Sequence, residues 1–269
     1  VEDVQRNGYY GGIRLMKAAV YKFSQYCDEH RIKLPQRNFS LRYRSTIPRR
    51  LGMAGSSALV TATMRCLMDF YDVEIPKPAL ANLVLRAEIE ELGIAAGLQD
   101  RVIQAYEGLV FMNFEKEYME AHGHGQYEEL DPALLPPLYV AYHEDLGEGT
   151  EVFHNNLRER WLSGDPEIVA AMTEFASYAK TVRDLLVAGR GNEIGVWMDK
   201  NFDLRRRICQ LNPRHVDMVE RARAVGASAK FAGSGGAIVG TYDGETMYQR
   251  LVDKMAEAGI VVFKPTVEM

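Results

Sequence analysis

The chain has little that would staple it covalently or anchor it in a bilayer. Its three cysteines, Cys27, Cys66 and Cys209, are odd in number and far apart. They support neither a disulfide framework nor a paired-cysteine zinc site, and a reducing cytoplasm is the expected compartment. No uninterrupted apolar run approaches the roughly 20 residues that span a bilayer, so no membrane segment is expected. Basic excess is lacking too: 32 Lys and Arg stand against 37 Asp and Glu, a net charge of -5, which removes any general pull toward nucleic acid or anionic lipid. The six histidines show no metal-ligand spacing, and His122 and His124 sit in a Gly-containing turn that reads as solvated. What remains is 269 residues with 47% hydrophobic content, enough for one large or two modest domains with full cores.

The most informative stretch is Pro48-Arg-Arg-Leu-Gly-Met-Ala-Gly-Ser-Ser-Ala58. It joins an expected strand, Phe39 to Ile47, to an expected helix whose buried face is read as Leu59, Ala62, Thr63, Cys66, Leu67 and Phe70. A turn of Gly, Ala and Ser at a helix mouth suits phosphate, because the first N–H groups of the helix lack intrahelical acceptors and carry partial positive charge. The alternative is an N-cap, with Ser56 or Ser57 accepting from a backbone N–H. The loop lacks the Lys of a Walker motif and the three spaced glycines of a dinucleotide fingerprint.

Before the loop, about Gly12 to His30 reads as an amphipathic helix with Ile13, Met16, Val20, Phe23 and Cys27 on one stripe, entered through Gly8 to Gly12. After it, Ala79 to Glu91 forms a helix burying Leu80, Leu83, Val84 and Ala87. Glu88 shares that apolar ridge and therefore requires a partner. Glu90 points away and reads as solvated, and Glu91 is open. The small-residue loop Gly93-Ile-Ala-Ala-Gly-Leu-Gln-Asp-Arg101 delivers Asp100 to the next helix, where an N-cap role is again the plain alternative.

Tyr106 to Phe114 is expected as a strand, and the polar stretch His122 to Pro137 as the boundary between domains 1–130 and 131–269. The second domain reads as a strand at Leu138 to His143, then helices at Pro166 to Ala188, Glu193 to Cys209 and His215 to Val225. The first carries Ile168, Met172, Phe175, Ala179, Val182 and Leu186 in register, the second Ile194, Trp197, Met198, Asn201, Arg205 and Ile208. A strand, Gly turn and strand follow over Ala227 to Gly240, then a helix at Met247 to Ala258 and a strand at Ile260 to Lys264. Strands and helices mixed in this order give an α+β class. Of Arg205, Arg206 and Arg207, only Arg205 shares the buried stripe, and the run also fits a solvated helix end favoured by the dipole.

Three segments together, Pro-x-x-x-Gly-x-x-Gly-Ser-Ser-Ala, the Gly-Leu-Gln-Asp-Arg loop and Lys230-Phe-Ala-Gly-Ser-Gly-Gly-Ala, resemble the motifs of the GHMP kinases, small-molecule kinases named after galactokinase, homoserine kinase, mevalonate kinase and phosphomevalonate kinase. The wording of the loops, with an Asn-Gly-Tyr-Tyr-Gly-Gly segment before the first helix, is similar to the glucuronokinase branch. The resemblance implies an S5-like N-terminal domain, without its first strands here, and a ferredoxin-like C-terminal domain. That branch carries a first motif ahead of Asn7, so the encoded protein is expected to continue upstream of Val1.

By the same resemblance, ATP phosphates fall to Gly52, Met53, Ala54, Gly55, Ser56, Ser57 and Ala58, Mg2+ to Ser57 and Glu88, and the role of base to Asp100, twelve residues after Glu88. The implied reaction is phosphorylation of a small sugar acid, glucuronate, on its anomeric hydroxyl. Another sugar, galacturonate or a heptose 7-phosphate, and a non-catalytic nucleotide-binding relative stay open. A carboxylate-bearing substrate calls for a cation. Arg101, Arg205 and Arg14 are candidates, with Lys230, Gly233 and Gly235 of the third motif beside the same substrate.

Overall fold

A computed structural model describes Tyr9 and residues 13–48, 52–143 and 157–267. The expected entry Gly8 to Gly12, Tyr9 apart, and the Arg49 to Leu51 part of the loop lie outside these. The chain divides into two compact units, one drawn from Val1–Thr46 and Ala54–Glu129, the other from Ile47–Met53 and Leu130–Glu268. Among the described residues no helix is long and apolar enough to cross a membrane.

The first unit is built on four helices: α1 (Arg14–Glu29), α2 (Gly55–Tyr71), α3 (Lys77–Leu92) and α4 (Leu98–Tyr106). Two strands, β1 (Leu109–Asn113) and β2 (Gln126–Leu130), pair around α5 (Lys116–His122). The shared core joins Phe23 and Cys27 of α1, Val60, Met64 and Leu67 of α2, Leu80 and Val84 of α3 and Val102 of α4. Each large side chain so buried contributes roughly 1.5–3 kcal/mol. The α3 face is as expected, Leu80, Leu83, Val84, Ala87 and Glu88 all being buried.

One expectation fails in this unit and three are corrected in extent. In α2 Thr63 and Leu67 are buried as expected, but Val60 and Met64 share the core face while Ala62, Cys66 and Phe70 face solvent. Apolar residues line both sides of this helix, so periodicity alone does not select the face; packing against α1 and α3 does. Phe39 to Ile47 forms no ladder among the described residues. β-branched and aromatic content makes a segment suitable for a strand, but only a paired neighbour makes it one, and Phe39 instead packs edge-on against Phe70 and Tyr71. The polar stretch His122 to Pro137, expected as the boundary, contains β2, and the strand expected over Tyr106 to Phe114 is present at Leu109–Asn113, Tyr106 ending α4.

The second unit follows β3 (Leu138–His143) with α6 (Leu157–Leu162), α7 (Pro166–Val187), α8 (Ile194–Ile208) and α9 (Pro213–Ala224). Then come β4 (Lys230–Phe231), β5 (Ala237–Thr241), α10 (Gly244–Ala256) and β6 (Ile260–Phe263). The strands form an antiparallel sheet in the order β4-β5-β3-β6, with Val140 opposite both Val239 and Phe263. Numbered within the unit, that order is 2-3-1-4, the split arrangement of a ferredoxin-like sheet. Tyr139, Phe202, Met218, Ile238, Leu251 and Met255 fill its core, and the buried Tyr139 hydroxyl donates to Ser228 O at 2.8 Å. Sequence periodicity misses Phe202 and Leu204 as the buried residues of α8 and overstates Trp197 and Asn201, which are half-buried. In α7 Ala179 is exposed and Ala171 is buried instead.

Candidate functional site

The loop at the start of α2 is shaped by two unusual backbone positions. Gly52 has φ +70, and a Cβ there would lie 2.0 Å from Gly235 O, so only glycine fits. Ala54 is the N-cap of α2 in the left-handed region at φ 52, and no side chain caps the helix. Its carbonyl is well held: Ser57 Oγ donates to it at 3.0 Å and Gln104 Nε2 at 3.1 Å, while Ala58 N closes the first helical bond. The N-cap reading of Ser56 and Ser57 is thereby replaced. Ser57 is a buried third residue of the helix whose hydroxyl points back to Ala54 O rather than accepting from an N–H. Gln104, also reached by Thr61 Oγ at 3.3 Å, is a support that sequence reading missed. Its one signal is its place on the helix that carries Asp100.

Gly52→Ala should lower stability by at least about 2 kcal/mol, the left-handed penalty plus a backbone clash. A denaturant midpoint equal to that of the unaltered protein would show that the loop moves aside freely.

Two carboxylates of the first unit, Glu88 and Asp100, meet on one guanidinium. Glu88 is fully buried, and Arg101, 4% exposed, donates from Nε at 2.8 Å and from Nη2 to the same oxygen, Glu88 Oε2. The remaining donor, Nη1, reaches Gly97 O at 3.0 Å and Asp100 Oδ2 at 3.2 Å. Asp100 stands in the first turn of α4, whose N-cap is Gly97; the N-cap reading of Asp100 is therefore also replaced. Its side chain is 43% exposed. The partner that Glu88 requires is thus Arg101, and removing one member of such a pair costs about 3–5 kcal/mol. Arg101 is turned inward and its donors are committed to protein acceptors, whereas Arg14, another candidate cation, is exposed.

Glu90 and Glu91 serve the helix packing. Buried Lys22 of α1 bonds Glu90 at 2.6 Å and Glu91 at 2.7 Å, and Tyr9 donates to Glu91 at 2.6 Å. Glu90 is exposed as expected, yet the Lys22 bond and the neighbouring Arg86 hold its carboxyl below the usual range.

One oxygen of this group is left over. Among the described residues Glu88 Oε1 is buried with no hydrogen-bond partner, a position that an ordered water or a hard cation would satisfy. Among the described residues no cluster of three or more acidic, His or Cys side chains forms a complete cage. One carboxylate and a serine hydroxyl match the way Mg2+ is bound, with few protein ligands and the rest from phosphate and water. Ser57 and Glu88 supply donor types that Mg2+ accepts, with the Ser57 hydroxyl turned to Ala54 O.

The second unit gathers the third motif around Gly52. A Cβ at Gly233 would lie 3.5 Å from Gly52 O, and Gly235, at φ +139, has no room against His215. Arg205 of α8 donates to Gly233 O at 2.6 Å and Ser234 O at 3.4 Å, with its guanidinium over Phe231. Among the described residues Lys230 Nζ donates to Phe231 O alone, at 2.8 Å. Among the described residues neither cation has a carboxylate partner. Burial lowers the Arg205 pKa. Burial, with the Arg205 charge nearby, brings Lys230 down to about 8. Arg206 and Arg207 are exposed and pair with Glu220 and Glu174, as a solvated helix end requires.

A glycine-clamped loop at a helix mouth, a buried carboxylate with a spare oxygen and a ferredoxin-like second unit define a small-molecule phosphotransferase, and the chain belongs to the GHMP kinases. A model of the GHMP kinases N terminal domain matches residues 14–108. The chain is 48% identical over 242 residues to Glucuronokinase 1 of Arabidopsis thaliana, covering 88% of this chain and 66% of that protein. It is 43% identical to Probable glucuronokinase 2 of the same plant, covering 97% of this chain and 73% of that one. The chain thus spans about two thirds to three quarters of the length of these relatives. In fold it is similar to the Methanococcus jannaschii mevalonate kinase, with a TM-score of 0.68 at 18% identity over 97% of this chain and 77% of the other. It is likewise similar to Lactococcus lactis galactokinase complexed with galactose, with a TM-score of 0.67 at 12% identity over 96% and 75%.

Proposed function

We propose that this protein transfers the γ-phosphoryl group of ATP to the anomeric hydroxyl of glucuronate, giving glucuronate 1-phosphate and ADP. The observation that carries the reading is the 48% and 43% identity to two glucuronokinases over most of this chain, and the local geometry agrees with the chemistry. Phosphoryl transfer asks chiefly for positioning and charge neutralisation. Backbone N–H groups of Gly55, Ser56 and Ser57, left without a side-chain cap, would bind ATP phosphate oxygens together with the Gly52 to Ala54 turn. Ser57 and Glu88 would hold Mg2+, which when bound supplies charge neutralisation on the transferring group. Asp100 would accept the proton of the sugar hydroxyl as its oxygen bonds to phosphorus and the bond to ADP breaks.

For the sugar carboxylate, Arg205 and Lys230 are the cations best suited, because Arg205 reaches the glycine loop from α8, Lys230 leads into it on β4, and neither has a carboxylate partner among the described residues. Glycines at 233 and 235 keep that loop compact beside Gly52. An assay of ADP release with glucuronate, galacturonate, glucose and a heptose 7-phosphate tests the substrate. Glucuronate should lead, and a heptose 7-phosphate or galacturonate ahead of it would replace the assignment.

The lysine gives this reading a pH signature. Its pKa is depressed from 10.5 to about 8, so the cost of burying its charge is present below pH 8 and is relieved as pH rises from about 8 toward 10.5. The charged form is the one that binds a carboxylate. The Michaelis constant for glucuronate should therefore rise above pH 8, by up to about tenfold per unit, and Lys230→Met should flatten that rise. An identical rise with a neutral sugar would assign the effect elsewhere.

A further inference from the structure

We infer that Arg101 is a positioning residue that ties the proton acceptor to the cation-binding carboxylate, and that it does not read the substrate. The inference rests on the phosphotransfer reading above and deepens it. Arg101 directs four of its five N–H groups to protein acceptors: one from Nε and one from Nη2 to Glu88 Oε2, and the Nη1 pair to Gly97 O and Asp100 Oδ2. A guanidinium is a rigid planar fork, so fixing its Nε edge on buried Glu88 fixes where Nη1 lies, and with it the Asp100 oxygen that Nη1 holds. Asp100 is otherwise a half-exposed side chain on a first helical turn, free to rotate among rotamers. The same fork takes one oxygen of Glu88 and leaves Oε1 alone without a partner. One residue thereby sets the direction of both carboxylates, twelve positions apart in sequence. Lysine cannot do this, because an ammonium is a point charge with no fixed angle between its bonds.

Arg101→Lys keeps a cation beside Glu88 and is the variant to measure, while Arg101→Met, which leaves Glu88 buried without a counter-charge, serves as the control for folding. In Arg101→Lys we expect kcat to fall by at least about tenfold and KM for MgATP to rise with the loosened Glu88, while KM for glucuronate stays within about threefold of the unaltered protein. Retained kcat, or a loss that falls on KM for glucuronate alone, overturns the inference; the latter would make Arg101 a reader of the sugar acid.

A second readout does not depend on turnover. In arginine-labelled protein, the Arg101 side chain should show a slowly exchanging Nε–H and separate Nη protons, identified by their absence in Arg101→Lys. Asp100→Asn should shift them as Glu88→Gln does, and Arg101 resonances untouched by Asp100→Asn also overturn the tie. Should the unaltered protein fail to turn over glucuronate while these resonances respond to both carboxylate variants, the substrate reading fails and the tie stands.

Discussion

Asp100→Asn is expected to lower turnover by about 10²- to 10⁴-fold, the usual worth of a positioned acid–base group, while binding of MgATP measured by calorimetry stays near normal. The amide keeps the size of the side chain and its place on the first turn of α4, and still offers one oxygen to Arg101. What it loses is the capacity to take the hydroxyl proton. Glu88→Gln should behave differently. It removes the charge that balances Arg101 in a fully buried pair, so stability falls along with Mg2+-dependent nucleotide affinity. The contrast separates the two carboxylates by role, and near-normal turnover in Asp100→Asn would remove the base assignment.

The second large effect concerns the sugar acid. If Arg205 and Lys230 bind the substrate carboxylate, glucose leaves two poorly solvated cations without a counter-charge, at a cost of about 2–5 kcal/mol. That corresponds to well over tenfold in kcat/KM at about 1.4 kcal/mol per decade. Glucuronate should exceed glucose by that margin, and Arg205→Met should narrow it mainly by lowering the rate with glucuronate. Arg205 also holds the carbonyls of Gly233 and Ser234, so the variant needs the ratio of the two sugars, not one rate, as its measure. Equal use of the two sugars would dismiss carboxylate reading while leaving a sugar kinase.

Sequence and structure divide the explanation along a clear line. Local chemistry was legible in the residues themselves. Small residues ahead of an apolar helical repeat marked the α2 entry, an acid on the ridge of Leu80 and Val84 announced that Glu88 needs a partner, and the Lys230 to Ala237 wording placed a glycine turn between two short strands. These readings hold because capping, helical period and turn conformation act over a few residues. The tertiary structure alone named the partner: nothing in the spacing of Glu88 and Arg101 says whether that arginine turns toward the carboxylate or toward a substrate. It alone chose which face of α2 is buried, since Val60 and Met64 compete with Leu59 and Phe70 on equal hydrophobic terms and only the neighbours α1 and α3 break the tie. It alone showed that Gly52 is glycine because Gly235, 183 positions later, brings a carbonyl to within 2.0 Å of where a methyl would be. Periodicity reports what a residue could bury, whereas contacts between distant segments decide what it does bury, because packing and charge pairing are settled by proximity in space.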